Sequence, residues 1–414
     1  MVHEGGHLPG SPGLRRVALS LFLAGVATFA SIWATQPLLP TLAADLDVTP
    51  AQAALTVSGP TLALGLGLLV AGPLSDVRGR TWLVDGSLLA TGVVGLACAF
   101  AWSFESLLVL RTLQGLVLAG LPAVATAYLR EEVDRSAAAG VTGLYVGGTA
   151  LGGMSGRLLA APLAEAEGWR TALAGVAVLV LVCAGLVRWL LPPSRRFSPA
   201  PARPRDLMAQ TARTLRDPVL LGLFAVGGLL MGAFVAVFNA LAFRLESPEF
   251  GLGTGVAGLV FTTYALGSVA STLAGRVGGR PPGPRPVVPV AVAVALAGVL
   301  LTLAAPLWIV VTGVAVMVVG FFAAHGTASG WVAARASLGA GGAGQAASLY
   351  LLAYYGGAST AGAAAGWAWS SGGWPRVVEL AVALMGAALA VSLLLARSRR
   401  LPGAVPPRGG PEPG

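Results

Sequence analysis

The chain contains the stretch Gly72-Pro73-Leu74-Ser75-Asp76-Val77-Arg78-Gly79-Arg80 between two long apolar runs, residues 51–71 and 82–102. A junction this short between two runs of membrane-crossing length must be a tight turn at one membrane face. Its glycines supply backbone freedom, and its arginines suit the lipid headgroup region. We expect Asp76 to accept hydrogen bonds from the N-terminus of a neighbouring helix.

The composition indicates a membrane protein. Of the 414 residues, 56% are hydrophobic and only 10% are charged, whereas a soluble domain carries roughly 25% charged residues. A helix of about 20 apolar residues spans the hydrocarbon core, and its backbone hydrogen bonds are satisfied internally. The sequence therefore predicts an all-α membrane protein whose apolar runs are helices that cross the lipid bilayer.

The spacing of the apolar runs predicts twelve transmembrane spans. They are residues 17–39, 51–71, 82–102, 106–128, 137–161, 170–191, 218–243, 254–275, 286–304, 307–329, 343–366 and 375–396. The longest connection divides them six and six. The predicted domains are a tail 1–16, a bundle 17–191, a cytoplasmic linker 192–217, a second bundle 218–396 and a disordered tail 397–414. The second half of the linker could form a short helix in the membrane interface.

The charges predict the orientation. The net charge is +9, and every basic residue is an arginine. The arginines cluster in alternate connections, while the remaining connections carry acids, which places both termini in the cytoplasm and provides no nucleic-acid face. The Ala-, Gly-, Leu- and Val-rich, arginine-only composition suggests a bacterium, and hence its plasma (inner) membrane.

An internal repeat relates the two bundles. The paired stretches are Tyr145-Val146-Gly147-Gly148 with Tyr354-Tyr355-Gly356-Gly357, and Gly168-Trp169 with Gly373-Trp374. The loop at residues 72–80 also has a counterpart at residues 275–280, which keeps glycines and arginines but has no acid. This pattern predicts two pseudo-symmetric six-helix bundles related by an axis along the membrane normal.

The loop at residues 72–80 resembles the signature G-x-L-S/A-D-x-x-G-R between the second and third helices of the major facilitator superfamily. The resemblance implies twelve helices in two bundles that rock about a central solute cavity. It also implies a latch that holds the inner gate closed in the outward-facing state. The latch residues are Gly72, Asp76, Arg78, Gly79 and Arg80.

Arg111 lies about six residues inside the fourth predicted span. A guanidinium at that depth is costly unless it is paired or hydrated, so we expect it to face the bundle interior. The string Arg111-Thr112-Leu113-Gln114-Gly115 resembles the fourth-helix signature of the same superfamily, in which the arginine is implicated in proton coupling. The alternative is a structural arginine bonded to backbone carbonyls. The candidates for proton coupling are Arg111, Gln114, Asp85 and His325.

The other two coupling candidates have simpler alternatives. Asp85 lies close to the start of the third span and is expected to pair with loop arginines. His325 can take up a proton near neutral pH, but a lone histidine near a helix end is more often merely hydrogen-bonded. The first span has no acid at mid-depth, which leaves the coupling ion open.

The fifth span contains glycines four residues apart, which permit close helix contact. Its sequence resembles the antiporter signature G-x-x-x-G-P-x-x-G-G, with Gly153 in place of the proline and Arg157 in place of the last glycine. Together with Gln36-Pro37 at the end of the first span, it implies the drug/proton efflux branch and a sliding seam between the halves. The seam glycines are Gly148, Gly152, Gly153 and Gly156. Arg157 is expected to reach the outer interface.

Enzyme chemistry is not indicated. No Ser/His/Asp set or metal-ligand cluster can be assembled from three histidines, and a chain without lysine cannot form the G-x-x-x-x-G-K-S/T phosphate loop. We therefore expect no catalytic residue, cofactor or metal. Cys98 and Cys183 lie in apolar runs and are expected to be packing residues.

The leading hypothesis is a monomeric secondary transporter that exports a small organic solute (a drug, sugar or metabolite) in exchange for protons. The alternatives are proton-linked uptake of a sugar or organic anion, and a non-transporting membrane sensor on the same fold. The depth of each residue within its predicted span suggests which side chains line the solute cavity. These are Thr28, Ser31, Tyr145, Thr149, Met231, Phe234, Tyr264 and Tyr354.

Overall fold

A computed structural model of the chain describes residues 6–195, 197, 204–281, 283–338 and 342–397. Within these ranges the regular structure is helical, apart from one isolated bridge between His7 and Val133. The first half contains α1 (Pro12–Trp33), a 3₁₀ turn (Gln36–Leu38), α2 (Leu39–Asp45), α3 (Pro50–Arg78), α4 (Arg80–Ala99), α5 (Phe104–Leu118), α6 (Gly120–Glu132) and α7 (Arg135–Leu190). The second contains α8 (Pro204–Thr214), α9 (Pro218–Glu246), α10 (Thr254–Gly258), a 3₁₀ turn (Leu259–Thr263), α11 (Tyr264–Gly278), α12 (Pro284–Leu301), α13 (Leu307–Ser337) and α14 (Ala343–Arg397).

Two of these helices are each two membrane crossings joined at a sharp glycine break. Helix α7 has 56 residues and α14 has 55, so each would extend about 80 Å if straight, far beyond a bilayer. The backbone of α7 leaves the helical region at Gly168, and that of α14 does so at Gly372 and Gly373. A side chain at Gly175 would meet Leu163, which requires α7 to fold back on itself.

The described helices therefore make twelve crossings, which confirms the predicted fold. Crossing 1 is α1, its 3₁₀ turn and α2; crossings 2 and 3 are α3 and α4; crossing 4 is α5 with α6; and crossings 5 and 6 are the two parts of α7. Crossing 7 is α9; crossing 8 is α10, its 3₁₀ turn and α11; crossings 9 and 10 are α12 and α13; and crossings 11 and 12 are the two parts of α14. We call the end that carries residues 72–80 the inner end, following the predicted orientation.

The repeated Gly-Trp pairs occupy matching places at the outer ends of the halves. Gly168 and Gly373 have φ values of 84° and 64°, a left-handed conformation that favours glycine. The indole of Trp169 donates to Asp45 Oδ2 at 2.6 Å, and that of Trp374 donates to the carbonyl of Thr302 at 2.9 Å. Each buried tryptophan thus ties the hairpin of two crossings to a neighbouring outer loop.

The glycines of crossing 5 pack against crossing 1. A Cβ at Gly148, Gly152 or Gly156 would overlap the backbone of Phe22, Val26 or Ala30, respectively. Both crossings belong to the same half, so the predicted position of this seam, between the halves, is wrong. Small residues mark a close helix contact, but they do not say which helix makes it.

The second half has an equivalent seam between crossings 7 and 11. A Cβ at Gly357 would overlap the backbone of Gly228, and one at Gly232 would press on the carbonyl of Gly357.

The linker forms a helix, α8, in its second half, as predicted, and Thr211 there accepts a hydrogen bond from Gln345 at 2.8 Å. Of the predicted tails, residues 1–5 and 398–414 lie outside the described residues. Residues 6–16 are described, and α1 already begins at Pro12, five residues before the predicted start of the first span at residue 17.

Candidate functional site

The inner-end turn is a compact charged cluster centred on Arg80. Gly79, with φ 104° and ψ 156°, separates α3 from α4 and lets Arg80 turn back towards α3. The Arg80 guanidinium forms salt bridges to Asp76 at 2.5 Å and to Glu131 at 2.8 Å, and donates to the Ser75 hydroxyl. The cluster therefore joins crossings 2, 3 and 4 within the first half.

The other predicted latch residues lie around this cluster. Asp76 has Arg80 as its partner, whereas the sequence suggested a helix N-terminus. The guanidinium of Arg78 lies 5.7 Å from the ring of Trp82, and a Cβ at Gly72 would meet no atom within 4 Å. The role of these residues as a latch stays a prediction.

Arg111 fastens the broken end of crossing 1 to crossings 2 and 4. Its side chain is 1% exposed, and it donates to the carbonyls of Ser31 at 3.0 Å, Ile32 at 2.8 Å and Thr56 at 3.3 Å. Helix α1 ends at Trp33, and a helix end leaves its last carbonyls short of donors. Among the described residues, the carbonyl of Ser31 keeps only the backbone N–H of Ala34, at 3.4 Å, and Arg111 supplies further donors at this end.

Gln114 extends this network to crossing 3. Its amide oxygen accepts from Arg111, and its amide nitrogen donates to the carbonyl of Thr91 at 3.0 Å. Across the described ranges, no salt bridge to Arg111 occurs. These contacts match the structural alternative stated above, and a role in proton coupling stays a prediction.

The other two coupling candidates are far apart in the molecule. Asp85 lies 3.6 Å from Arg188, near the inner end of crossing 6. His325 lies in the second half, where its Nδ1 is 2.9 Å from the Tyr350 hydroxyl and its ring is 4.6 Å from that of Tyr354. The structure therefore does not bring the four candidates into one site.

A second polar network lies towards the outer end, where the two halves meet. Gln36 from the turn in crossing 1 donates to Asn239 Oδ1 of crossing 7 at 2.7 Å. Asn239 in turn donates to the carbonyl of Gly362 in crossing 11 at 3.2 Å. Both side chains are buried, so this pair of amides is a buried contact across the interface.

Arg157 lies at the centre of this network. Its Nε and Nη2 donate to the same oxygen, Gln36 Oε1, at 2.8 and 2.6 Å, and Nη2 also donates to the Tyr264 hydroxyl at 3.1 Å. Its Nη1 donates to the carbonyl of Gly153. We call Gln36, Arg157, Asn239 and Tyr264 the outer gate.

Aromatic rings enclose the Arg157 guanidinium. Its central carbon lies 5.0, 4.9 and 4.5 Å from the ring centres of Trp33, Phe261 and Tyr264, within cation–π distance. The side chain is 1% exposed, so the expectation that it reaches the outer interface is wrong. The helix continues to Gly168 rather than ending near 161, which places Arg157 about 16 Å from the helix end.

One further polar contact joins the halves near the outer end: the backbone N–H of Gly255 donates to Glu165 Oε2 at 2.6 Å. Over the part of the chain that the structure describes, three hydrogen bonds connect crossings 1–6 to crossings 7–12. All three lie nearer the outer ends. Crossings 2 and 11 also pack closely, with Gly366 against Ala51.

The predicted cavity residues fall into three groups. Phe234 packs against Tyr264 of the outer gate in an aromatic cluster, with ring centres 5.5 Å apart. Tyr354 packs against His325. The remaining residues are Thr28, Ser31, Tyr145 and Met231, which are buried, and Thr149, which is half-buried. Their role in solute binding stays a prediction.

Sequence reasoning missed Asn239 and did not assign Gln36 a role in a site. The sequence does mark both residues, because each is an amide side chain in a strongly apolar segment. Polar side chains within membrane helices usually hydrogen-bond to a neighbouring helix or line a functional path. The sequence alone does not show that these two amides meet.

Comparison with known proteins identifies the family. A sequence profile of the Major Facilitator Superfamily matches residues 21–246, more than half of the chain. The chain belongs to the major facilitator superfamily. It is 37% identical over 393 residues to the MFS-type transporter YybF of Bacillus subtilis, covering 95% of this chain and 96% of the relative.

Two further relatives of this superfamily member are informative. The inner membrane transport protein YnfM of Escherichia coli is 39% identical over 388 residues, covering 94% of this chain and 92% of YnfM. The 4-hydroxybenzoate transporter PcaK of Pseudomonas putida is 31% identical over 254 residues, covering 61% of this chain and 54% of PcaK. This superfamily member is therefore a multi-pass membrane transporter and not an enzyme.

The fold is also found in a solved transporter structure. A bacterial homologue of the human lysosomal transporter Spinster, in an inward-facing and occupied conformation, superposes with a TM-score of 0.71 and 16% identity. The match covers 94% of this chain and 96% of that one. At this identity the likeness shows the fold alone.

Proposed function

We propose that this transporter, acting as a monomer, exports a small organic solute from the cytoplasm by alternating access, with inward proton movement supplying the energy. The observation that carries the proposal is the outer gate. Its buried contacts, together with the exposed bond between Gly255 and Glu165, hold the halves together near their outer ends, which fits a state that is closed to the outside. Opening then requires these contacts to separate as the halves rock.

The inner-end cluster fits the opposite role in the cycle. Arg80, Asp76 and Glu131 are bonded to one another within the first half, as expected of a latch that is not engaged with the second half. When the inner end closes, we expect the cluster to contact the second half and hold the outward-facing state. Rocking thus exchanges one set of contacts for the other.

Export by proton antiport is supported by the glycine-rich sequence of crossing 5, which resembles that of drug/proton antiporters. Proton-linked uptake is the alternative direction on the same scaffold. Similarity to PcaK, whose name gives 4-hydroxybenzoate as its solute, and to a gallate transporter of Pseudomonas putida supports a small organic acid as the solute. A solute of this class is compatible with either direction.

The direction and the coupling are tested together in proteoliposomes with a pH-sensitive dye in the lumen. With the cytoplasmic face outward and an acidic lumen, we expect a labelled solute to accumulate inside while the lumen pH rises. A thermal-shift screen of purified protein against aromatic acids, sugars and drugs selects the solute. Solute movement that is independent of the pH gradient, or that follows protons in the same direction, contradicts antiport.

Alternating access is tested by locking the outer gate. Gln36→Cys with Asn239→Cys, in a Cys98→Ala/Cys183→Ala background, places two thiols where the amides now meet. We expect oxidation to a disulfide to stop solute flux and reduction to restore it. Each single-cysteine variant, oxidised in parallel, is the matched control. Flux that continues through the oxidised pair contradicts the proposed rocking motion.

A further inference from the structure

Arg157 is a buried cation whose hydrogen-bonding partners are all neutral. They are the amide oxygen of Gln36, the carbonyl of Gly153 and the hydroxyl of Tyr264. No salt bridge involves Arg157 in the described part of the chain. An unpaired charge in a low-dielectric interior is unfavourable, so this position is expected to have a selected function.

The geometry at Gln36 resembles half of an arginine–carboxylate pair. Two N–H groups of one guanidinium edge, Nε and Nη2, converge on a single oxygen at 2.8 and 2.6 Å. This edge is the one that an arginine commonly presents to a carboxylate. An ionised carboxylate is a stronger acceptor than an amide oxygen, so an organic anion that reaches Arg157 can displace Gln36.

The walls of the site favour a flat, apolar group next to that anion. Rings of Trp33, Phe261 and Tyr264 surround the guanidinium at about 5 Å or less. Phe234 and Phe238 extend the aromatic surface beyond Tyr264, with ring centres 5.5 and 5.1 Å from it. Stacked and edge-on contacts with such rings stabilise an aromatic ligand.

We propose that Arg157 binds the carboxylate of an aromatic acid, and that this binding opens the outer gate. The same N–H groups now bond to Gln36 in the first half and Tyr264 in the second, so the anion and the closed gate compete for them. A ligand that binds one of two states better shifts the population towards that state. The inference rests on the alternating access proposed above, but it does not depend on the direction of transport.

Binding is tested with benzoate and with benzamide, which has the same ring but no charge. We expect benzoate, and not benzamide, to raise the melting temperature of the purified protein at constant ionic strength. Arg157→Gln should weaken benzoate binding about tenfold or more, because it removes charge-assisted hydrogen bonds. Arg170→Gln is the matched control, since Arg170 is half exposed at the outer end and bonded to Asp45. It should bind benzoate as the parent does.

A second variant keeps the test valid if Arg157→Gln does not fold. Tyr264→Phe removes only the hydroxyl that accepts from Arg157 across the interface. Because that hydroxyl competes with the anion, we expect Tyr264→Phe to bind benzoate severalfold more tightly. Unchanged or weaker binding in Tyr264→Phe contradicts the proposed competition.

Gate opening is measured with spin labels at Asp47→Cys and Pro248→Cys, which are exposed on outer loops of opposite halves, in the Cys98→Ala/Cys183→Ala background. Benzoate should lengthen the distance between the labels, benzamide should not, and Arg157→Gln should abolish the response. Benzoate binding that survives Arg157→Gln, or an outer distance that saturating benzoate leaves unchanged, overturns the inference.

The two proposals fail in different ways. If a neutral solute moves through the carrier and the locked gate stops it, but benzoate has no effect, the anion site is wrong and alternating access stands. If benzoate widens the outer gate but no solute crosses the proteoliposome membrane, the anion site stands and the proposed transport function is wrong.

Discussion

The two halves share one backbone plan but fill it with different chemistry. Each has a glycine seam, a glycine break followed by a buried tryptophan, and six crossings. In the described ranges, the buried Arg111 and Arg157 of the first half have no acidic partner, whereas the buried Arg244 of the second half is paired with Glu249. The second half also places stacked rings near the interface, including Phe234 on Phe321 at 3.9 Å. A repeated fold therefore fixes the path of the helices and leaves each half free to specialise.

The difference is clearest at the outer gate, where corresponding crossings face each other. Gln36 and Asn239 come from crossings 1 and 7 and bond to one another. The second contact of Gln36 is the cation Arg157, and that of Asn239 is the carbonyl of Gly362. One half thus supplies a charged group that can respond to an anion, and the other supplies neutral contacts and aromatic walls.

The largest expected effect comes from removing the Arg111 anchor of the first half. Arg111→Ala removes a donor from the buried carbonyls of Ser31, Ile32 and Thr56. Ser31 and Thr56 each keep one weak donor, from the Ala34 N–H at 3.4 Å and the Thr35 hydroxyl at 3.3 Å, whereas Ile32 is left with none among the described residues. An unsatisfied buried acceptor costs roughly 1–3 kcal/mol, and with the weakened pair we expect a loss of about 2–4 kcal/mol in the free energy of unfolding. The loss is measured by denaturant unfolding of the purified variant and parent proteins in detergent. Arg170→Ala, a half-exposed outer arginine, should cost no more than about 1 kcal/mol; equal losses would contradict an anchoring role.

The glycine seams test whether the halves are equivalent in packing. Gly152→Ala forces a methyl group into the backbone of crossing 1, and Gly357→Ala does the same against crossing 7. Overpacking of this kind costs about 1–3 kcal/mol. We expect similar losses of thermal stability from both. Gly147→Ala, on the same helix with open space around it, should be neutral or slightly stabilising. A large effect at one seam alone would show that the halves pack unequally.

The smallest expected change in stability concerns the inner-end loops. Asp76→Asn makes the loop at residues 72–80 resemble its acid-free counterpart at residues 275–280. Asp76 is one-third exposed, so its salt bridge is expected to contribute no more than about 1 kcal/mol. Counterflow in proteoliposomes should nevertheless slow severalfold, because the latch is weakened. Glu379→Gln, in an exposed outer pair with Arg376, is the control. Parental counterflow in Asp76→Asn would contradict the latch.

Much of the fold follows directly from residue patterns. Apolar runs of membrane length predict twelve crossings, and the repeated Gly-Trp pairs mark the same outer turn in both halves. These features are local, because each depends on hydropathy or on a backbone angle that favours glycine. The twelve crossings could therefore be predicted without knowing how the helices pack.

The outer gate could not be predicted in the same way, because it depends on which helices meet. Arg157 was placed close to a span end at residue 161, but the helix runs on to Gly168 through two acids that hydropathy excludes from a span. Glu165 in that last stretch is bonded to Gly255 of the other half. The glycines beside Arg157 indicated a close contact correctly but not the partner helix.

The permanence of the Arg157 charge has an electrical consequence. A guanidinium stays protonated at any physiological pH. In the rocking cycle proposed above, the barrier to ions lies on the external side of Arg157 while the outer gate is closed and on the internal side once it opens, so the charge changes its place in the transmembrane field with little movement of its own. A full elementary charge is worth about 2.3 kcal/mol per 100 mV. A bound carboxylate offsets this charge, so the step in which the loaded site changes sides should depend less on voltage than the return of the empty site.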